Sequence, residues 1–179
     1  METISEKPFR GSRILKVLLD TTYYLPLISV NIDGIPDDLL KRLLQDKKYQ
    51  LYYCEITLFE LAAKGTKLSL SNNSLTIHDI IRGLDSIRWD KRLIKLSWCS
   101  HPLIMELAIE IRKFHSDFID CLILATAVCY TDIIALFDKR LFEVVSKNRS
   151  IIEKIREINE KFCFWFTDLS ADPIQINIL

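Results

Sequence analysis

The chain is poor in residues that interrupt regular structure: 179 residues hold only four glycines and five prolines, with no low-complexity tract. That composition argues against long disordered segments. It has no GxGxxG and no GxxxxGK string, so nucleotide cradling by those loops is excluded. No CxxC pair occurs among the five cysteines, Cys54, Cys99, Cys121, Cys129 and Cys163. An odd number, mostly in apolar runs, suits buried free thiols in a reducing, cytoplasmic setting rather than a disulfide framework. The three histidines, His78, His101 and His115, share no metal-binding spacing, and His115 is expected at the surface or at a helix cap. The opening METISEKPFRGSR lacks the apolar centre of a signal peptide. No run is long and apolar enough to span a bilayer, so no membrane association is expected. There is no charge excess of either sign: 24 basic residues face 24 acidic ones, and composition alone does not announce a nucleic-acid binder.

What is present is an ordinary globular balance of 49% apolar and 27% charged residues. The length suits one domain over 1–179. ILKVLL (14–19), QLYYC (50–54), DIIALF (132–137) and FCFWF (162–166) read as buried strands, and RLIKLSW (92–98) as an extended segment. Helices are expected after Asp20, with Pro26 limiting the turn; from Pro36, with Leu39, Leu40, Leu43 and Leu44 on one face; and from Thr57 to a stop at Gly65. Further helices should carry Ile77, Ile80, Ile81, Leu84 and Ile87; Leu103, Leu107, Ile111 and Phe114 after Pro102; and Ile151, Ile155, Ile158 and Phe162. TKLSLSNNS (66–74) is the best loop candidate. Strands alternating with helices imply an α/β fold with a central parallel sheet and helices on both faces.

The stretch that organises the chain is HSDFIDCLILATAVCY, 115–130. After Asp117 and Asp120 it is apolar on every side except at Thr126, so it belongs to the interior and carries its acids inward. A buried carboxylate must be protonated, paired or given a metal. Asp20 and Asp138 follow strands, and Glu60 follows QLYYC by a few residues. All three fall at the carboxyl edge of the sheet, where open α/β sheets bind ligands. Acids converging there repel one another unless a cation joins them. Oxygen-only ligands favour Mg²⁺ or Mn²⁺, and such ions serve phosphodiester hydrolysis. A blander reading stands beside this one. Asp20, Asp138 and Asp117 suit helix N-caps, Asp120 complements a helix dipole, and Thr57 to Glu60 fits a capping box.

In this order, LLDTTYYL, ITLFEL, DCLILATA and LFDKRLF resemble the four motifs of PIN-domain nucleases, whose best-known small members are VapC-type toxins of prokaryotic toxin–antitoxin pairs. The resemblance covers roughly Ile14 to Phe166. It implies a PIN-like α/β/α sandwich around a central parallel sheet, with Asp20, Glu60, Asp120 and Asp138 as catalytic residues and ligands of Mg²⁺ or Mn²⁺. It further implies cleavage of single-stranded RNA, a homodimer and an antitoxin partner. Three features depart from the pattern. Leu136 stands where Thr or Ser is common, Asp117 is an extra acid (a fifth ligand or, preferably, a cap), and the middle segment around 66–98 is elongated. That segment would form a lobe over the substrate groove or an interface. LLDTT is also similar to the aspartyl-nucleophile phosphatases, but these need a second Asp where Thr22 stands.

Thr22, Lys139 and Arg140 are the nearest candidates for substrate contact, with Arg13, Lys16, Arg82, Arg88, Lys91, Arg92 and Lys95 further off. Tyr23, Tyr24, Trp89 and Trp98 could stack on bases or fill the core. The alternative function is a catalytically weak PIN-fold dimeric scaffold or RNA-binding subunit, and a third is cleavage of DNA or flap structures.

Overall fold

A computed structural model describes residues 13–71, 75–137, 139–166 and 174–175. Six strands form one sheet: β1 (Leu15–Leu19), β2 (Tyr49–Cys54), β3 (Leu93–Leu96), β4 (Ile133–Leu136), β5 (Cys163–Phe166) and β6 (Ile174–Gln175). Their order is β3-β2-β1-β4-β5-β6. The first five are mutually parallel, while β6 pairs antiparallel with β5, an edge not anticipated from sequence. The register places Val17 beside both Leu51 and Ile133.

The strands are apolar almost throughout because both faces are covered. Leu18, Ile134 and Phe164 point into one core, with α4 (Pro102–Arg112), α5 (Phe118–Tyr130), α6 (Lys139–Ser146) and α7 (Arg149–Ile158) packed over it. Val17, Leu19, Ile133, Ala135, Cys163 and Trp165 point into the other. A 3-10 helix (Thr21–Ile28), α1 (Leu39–Gln45), α2 (Glu55–Ser71) and α3 (Ile77–Trp89) cover that side. This is the α/β/α sandwich expected, with the side-chain period of two dividing each strand between the layers. Eight consecutive residues of α5, Cys121 to Val128, are buried, as its uninterrupted apolar run required.

Several local expectations need correction. The helix after β2 begins at Glu55, runs through Gly65 and ends at Ser71, so Gly65 is no stop and the first part of 66–74 is no loop; residues 72–74 lie outside the described set. Gly65 serves packing instead: a Cβ there would come within 2.9 Å of Ile80 Cγ1 and 3.2 Å of Ile28 Cδ1. Gly83 plays the same part more severely, since its Cβ would meet Ile28 Cγ2 at 2.5 Å and the Leu27 carbonyl oxygen at 2.6 Å. The two glycines let α2, α3 and the 3-10 helix close around the buried Ile28.

The described part of 66–98 supplies the end of α2, then α3, and then β3, which hydrogen-bonds to β2. Helix α1 starts at Leu39, not Pro36, which instead accepts from the Leu39 N–H. Ile77 and Ile81 are exposed, and the inner stripe of α3 is Ile80, Gly83 and Ile87. In α4 the inner residues are Ile104, Leu107, Ala108 and Ile111, while Leu103 and Phe114 face outward. No described helix is long and apolar enough to cross a membrane.

Candidate acid site at the carboxyl edge of β1

The strand order reverses between β1 and β4, and crevices that hold ligands form at such a switch point beyond the carboxyl ends of the strands. Asp20 sits there. Its N–H donates to the Ala135 carbonyl at 3.0 Å, tying the end of β1 to β4. Its side chain caps the 3-10 helix, with Oδ2 accepting from Thr22 Oγ1 at 2.8 Å and from Thr22 N at 3.3 Å. The cap assigned to Asp20 is therefore real. Burial raises its pKa, the bonds from Thr22 oppose the rise, and the charge of Glu60 adds to it.

Glu60 is 4% exposed. Its Oε2 accepts from the hydroxyl of Thr21, and Lys64 Nζ lies 2.5 Å from its Oε1. The capping-box reading of Thr57 and Glu60 fails, because α2 begins two residues earlier and both side chains lie within the helix. Thr57 Oγ1 is buried without a hydrogen-bond partner. Glu60 thus points toward Asp20 through the Thr21–Thr22 turn rather than back along its own helix.

Asp120 enters from the first turn of α5. Its pKa is raised to about 6, chiefly by burial; a hydrogen bond with His115 opposes this, and the charges of Asp20, Asp117 and Glu60 raise it further. Three carboxylates from distant parts of the chain therefore share one electrostatic neighbourhood. His115 Nε2 lies 2.9 Å from Asp120 Oδ2. The imidazole is 5% exposed and its Nδ1 has no partner, so the ring's hydrogen bonding is directed at Asp120 through Nε2. The expectation of a surface or capping His115 is overturned. The signal was its place five residues before Asp120, but only the bend between α4 and α5 brings the ring inward; there Arg112 Nη1 donates to the His115 carbonyl at 3.2 Å.

Asp117 is the N-cap of α5, its Oδ1 accepting from Ile119 N at 2.9 Å and Asp120 N at 3.4 Å. Asp138 lies outside the described residues. Leu136 is 3% exposed, and its carbonyl accepts from the Tyr23 hydroxyl at 3.3 Å. Thr22 is engaged with Asp20. Lys139 lies 5.8 Å from the centre of the Phe166 ring, and Arg140 is exposed on α6. Tyr23 and Tyr24 are core residues, Trp98 packs against the core, and Trp89 is exposed. Arg82, Arg88 and Arg92 pair with Asp79, Asp85 and Asp90, and Arg13 pairs with Asp132.

The donor set of Asp20, Glu60 and Asp120 is oxygen-only, which fits a hard divalent cation, although Glu60 is paired with Lys64 and Asp120 with His115. Among the described residues, which leave out Asp138, no three such side chains converge tightly enough to share one ion; Glu60 is turned onto Thr21 and Lys64. No protein-family model and no curated protein sequence matches the chain. Among solved structures, the chain is similar to VapBC2 from Rickettsia felis, crystallised bound to a DNA fragment from their promoter. The TM-score is 0.54 and the identity 16%, over 86% of this chain and 100% of that one. At that identity the likeness is one of fold.

Proposed function

We propose that the protein is a metal-dependent endoribonuclease of PIN type that hydrolyses single-stranded RNA, with Asp20, Glu60, Asp120 and Asp138 holding Mg²⁺ or Mn²⁺. The observation that carries this is the shared electrostatic neighbourhood of Asp20, Glu60 and Asp120 at the switch point, where burial and mutual repulsion raise the pKa values of Asp20 and Asp120. A structural cap needs no such crowding. When bound, the ion would lower the pKa of a water and stabilise the leaving oxygen of the phosphodiester. The chain's own part is to fix the ligands: Thr22 holds Asp20, Thr21 holds Glu60, and His115 holds Asp120. Thr22, Lys139 and Arg140 are assigned to substrate contact. The likeness to VapBC2 supports a toxin–antitoxin setting with an antitoxin as partner; the homodimer rests on the resemblance of the motifs alone.

The buried aliphatic Leu136 favours a second reading, a catalytically weak scaffold or RNA-binding subunit. One experiment separates the two. Wild type, Asp20→Asn and Asp120→Asn are titrated with Mn²⁺ by calorimetry and incubated with single-stranded RNA, with structured DNA alongside. Binding and RNA cleavage by wild type, both lost in the variants, are expected. Variants that cut as well as wild type would remove these acids from the site, and folded wild type that neither binds nor cuts would leave the scaffold.

A further inference from the structure

Lys64 follows Glu60 by one helical turn of α2 and shares its face. Its Nζ lies 2.5 Å from Glu60 Oε1, while the other carboxylate oxygen takes the Thr21 hydroxyl. Both oxygens of this acid, the most buried by exposure among the described residues, are therefore held by groups of the protein itself. The two partners differ in freedom: the Glu60 side chain is 6% exposed and that of Lys64 is 46% exposed. The acid is buried, and the ammonium sits on a long stem that reaches solvent. Asp20 and Asp120 act on the same ammonium. Burial pulls the Lys64 pKa down, but the bond and charge of Glu60, with the charges of Asp20 and Asp120, hold it above its usual value.

An ammonium and a hard divalent ion compete for the same carboxylate oxygens, and two cations on one oxygen repel each other. We propose that Lys64 is a built-in cation of the acid site, and that its ion pair with Glu60 and the loading of a divalent ion are mutually exclusive. The metal-site assignment above is its premise. Loading then requires Lys64 to leave Glu60 Oε1 for solvent, which frees that oxygen to turn toward Asp20 and Asp120.

The test is Mn²⁺ calorimetry on wild type, Lys64→Met and Lys64→Arg, with melting temperatures taken in chelator and in saturating Mn²⁺. Lys64→Met should bind Mn²⁺ about tenfold more tightly than wild type, and Lys64→Arg should stay near wild type. In chelator, Lys64→Met should melt below wild type, because buried Glu60 has lost its counter-charge, and Mn²⁺ should raise its melting temperature by more than it raises wild type's. If Lys64→Met does not fold, Lys64→Gln gives the same comparison. Binding by wild type with equal or weaker affinity in the neutral variant would overturn the competition while leaving the metal site in place. No binding by wild type or variant would overturn both. Binding by the variant alone would make the competition stronger than stated.

Discussion

The buried His115 ring, unpartnered at Nδ1, sets its Nε2 2.9 Å from a carboxylate oxygen of the half-buried Asp120. The ring holds the acid in place and opposes the rise in its pKa. In His115→Ala, the Asp120 carboxyl should titrate above the value of about 6 it has in the intact site. Carboxyl NMR titration in chelator checks this, and an unchanged midpoint would show that the bond does not form.

The same carboxyl sets a pH dependence. Its folded pKa of about 6 lies above the ordinary 3.8, so between these values the folded state keeps a proton that the unfolded chain gives up. Stability from this group is therefore greatest at the acid end and is lost as pH rises through that window. The loss should be on the order of 2–3 kcal/mol, with Asp20 acting in the same direction. Asp120→Asn in chelator should be less sensitive to pH across the window, measured as the difference from wild type in urea unfolding. Saturating Mn²⁺ should remove the wild-type loss.

Asp117 is a cap by geometry. Asp117→Ser keeps a capping oxygen and should stay within a few tenths of a kcal/mol of wild type, whereas Asp117→Ala should lose about 1 kcal/mol. Both should retain Mn²⁺ binding. A variant that stays folded but no longer binds would make Asp117 a ligand.

Gly83→Ala should destabilise by about 1–3 kcal/mol, because its methyl would meet the backbone of Leu27 as well as Ile28. For Gly65→Ala the nearest atoms are side-chain carbons of Ile80 and Ile28 rather than backbone, and Ala is the better helix former by about 1 kcal/mol. Its cost should be the smaller of the two, read from unfolding midpoints at constant slope.

These residues show what the sequence could and could not convey. The layered sheet was legible because each strand is a short apolar run and α5 is apolar all round. Asp20, Glu60 and Asp120 could be singled out as acids beside such runs. The partners of those acids could not. Thr-x-x-Glu describes a capping box and, equally, a buried acid within a helix; what decides is that α2 starts at Glu55. Gly65 reads as a helix stop unless Ile28 and Ile80 are known to press on it. The pairing of Lys64 with Glu60 follows ordinary helical spacing, but its contact with the field of Asp20 and Asp120 depends on how α2 and α5 meet. Ile77, Leu103 and Phe114 extended apolar stripes past the point where the helices leave the core.

The position of β1 between β2 and β4 also governs when the acids can meet. Lys16 at the start of the chain's first strand bonds to Asp132, 116 positions later. During synthesis β1 must wait, with one edge open, until β4 has left the ribosome, and pairings so distant in sequence close slowly. Asp20 acquires its bond to Ala135, and Asp120 its place beside Asp20, only at that late step. A nascent chain ending before β4 would carry Asp20, Glu60 and Asp120 without the strand that ties Asp20 in place.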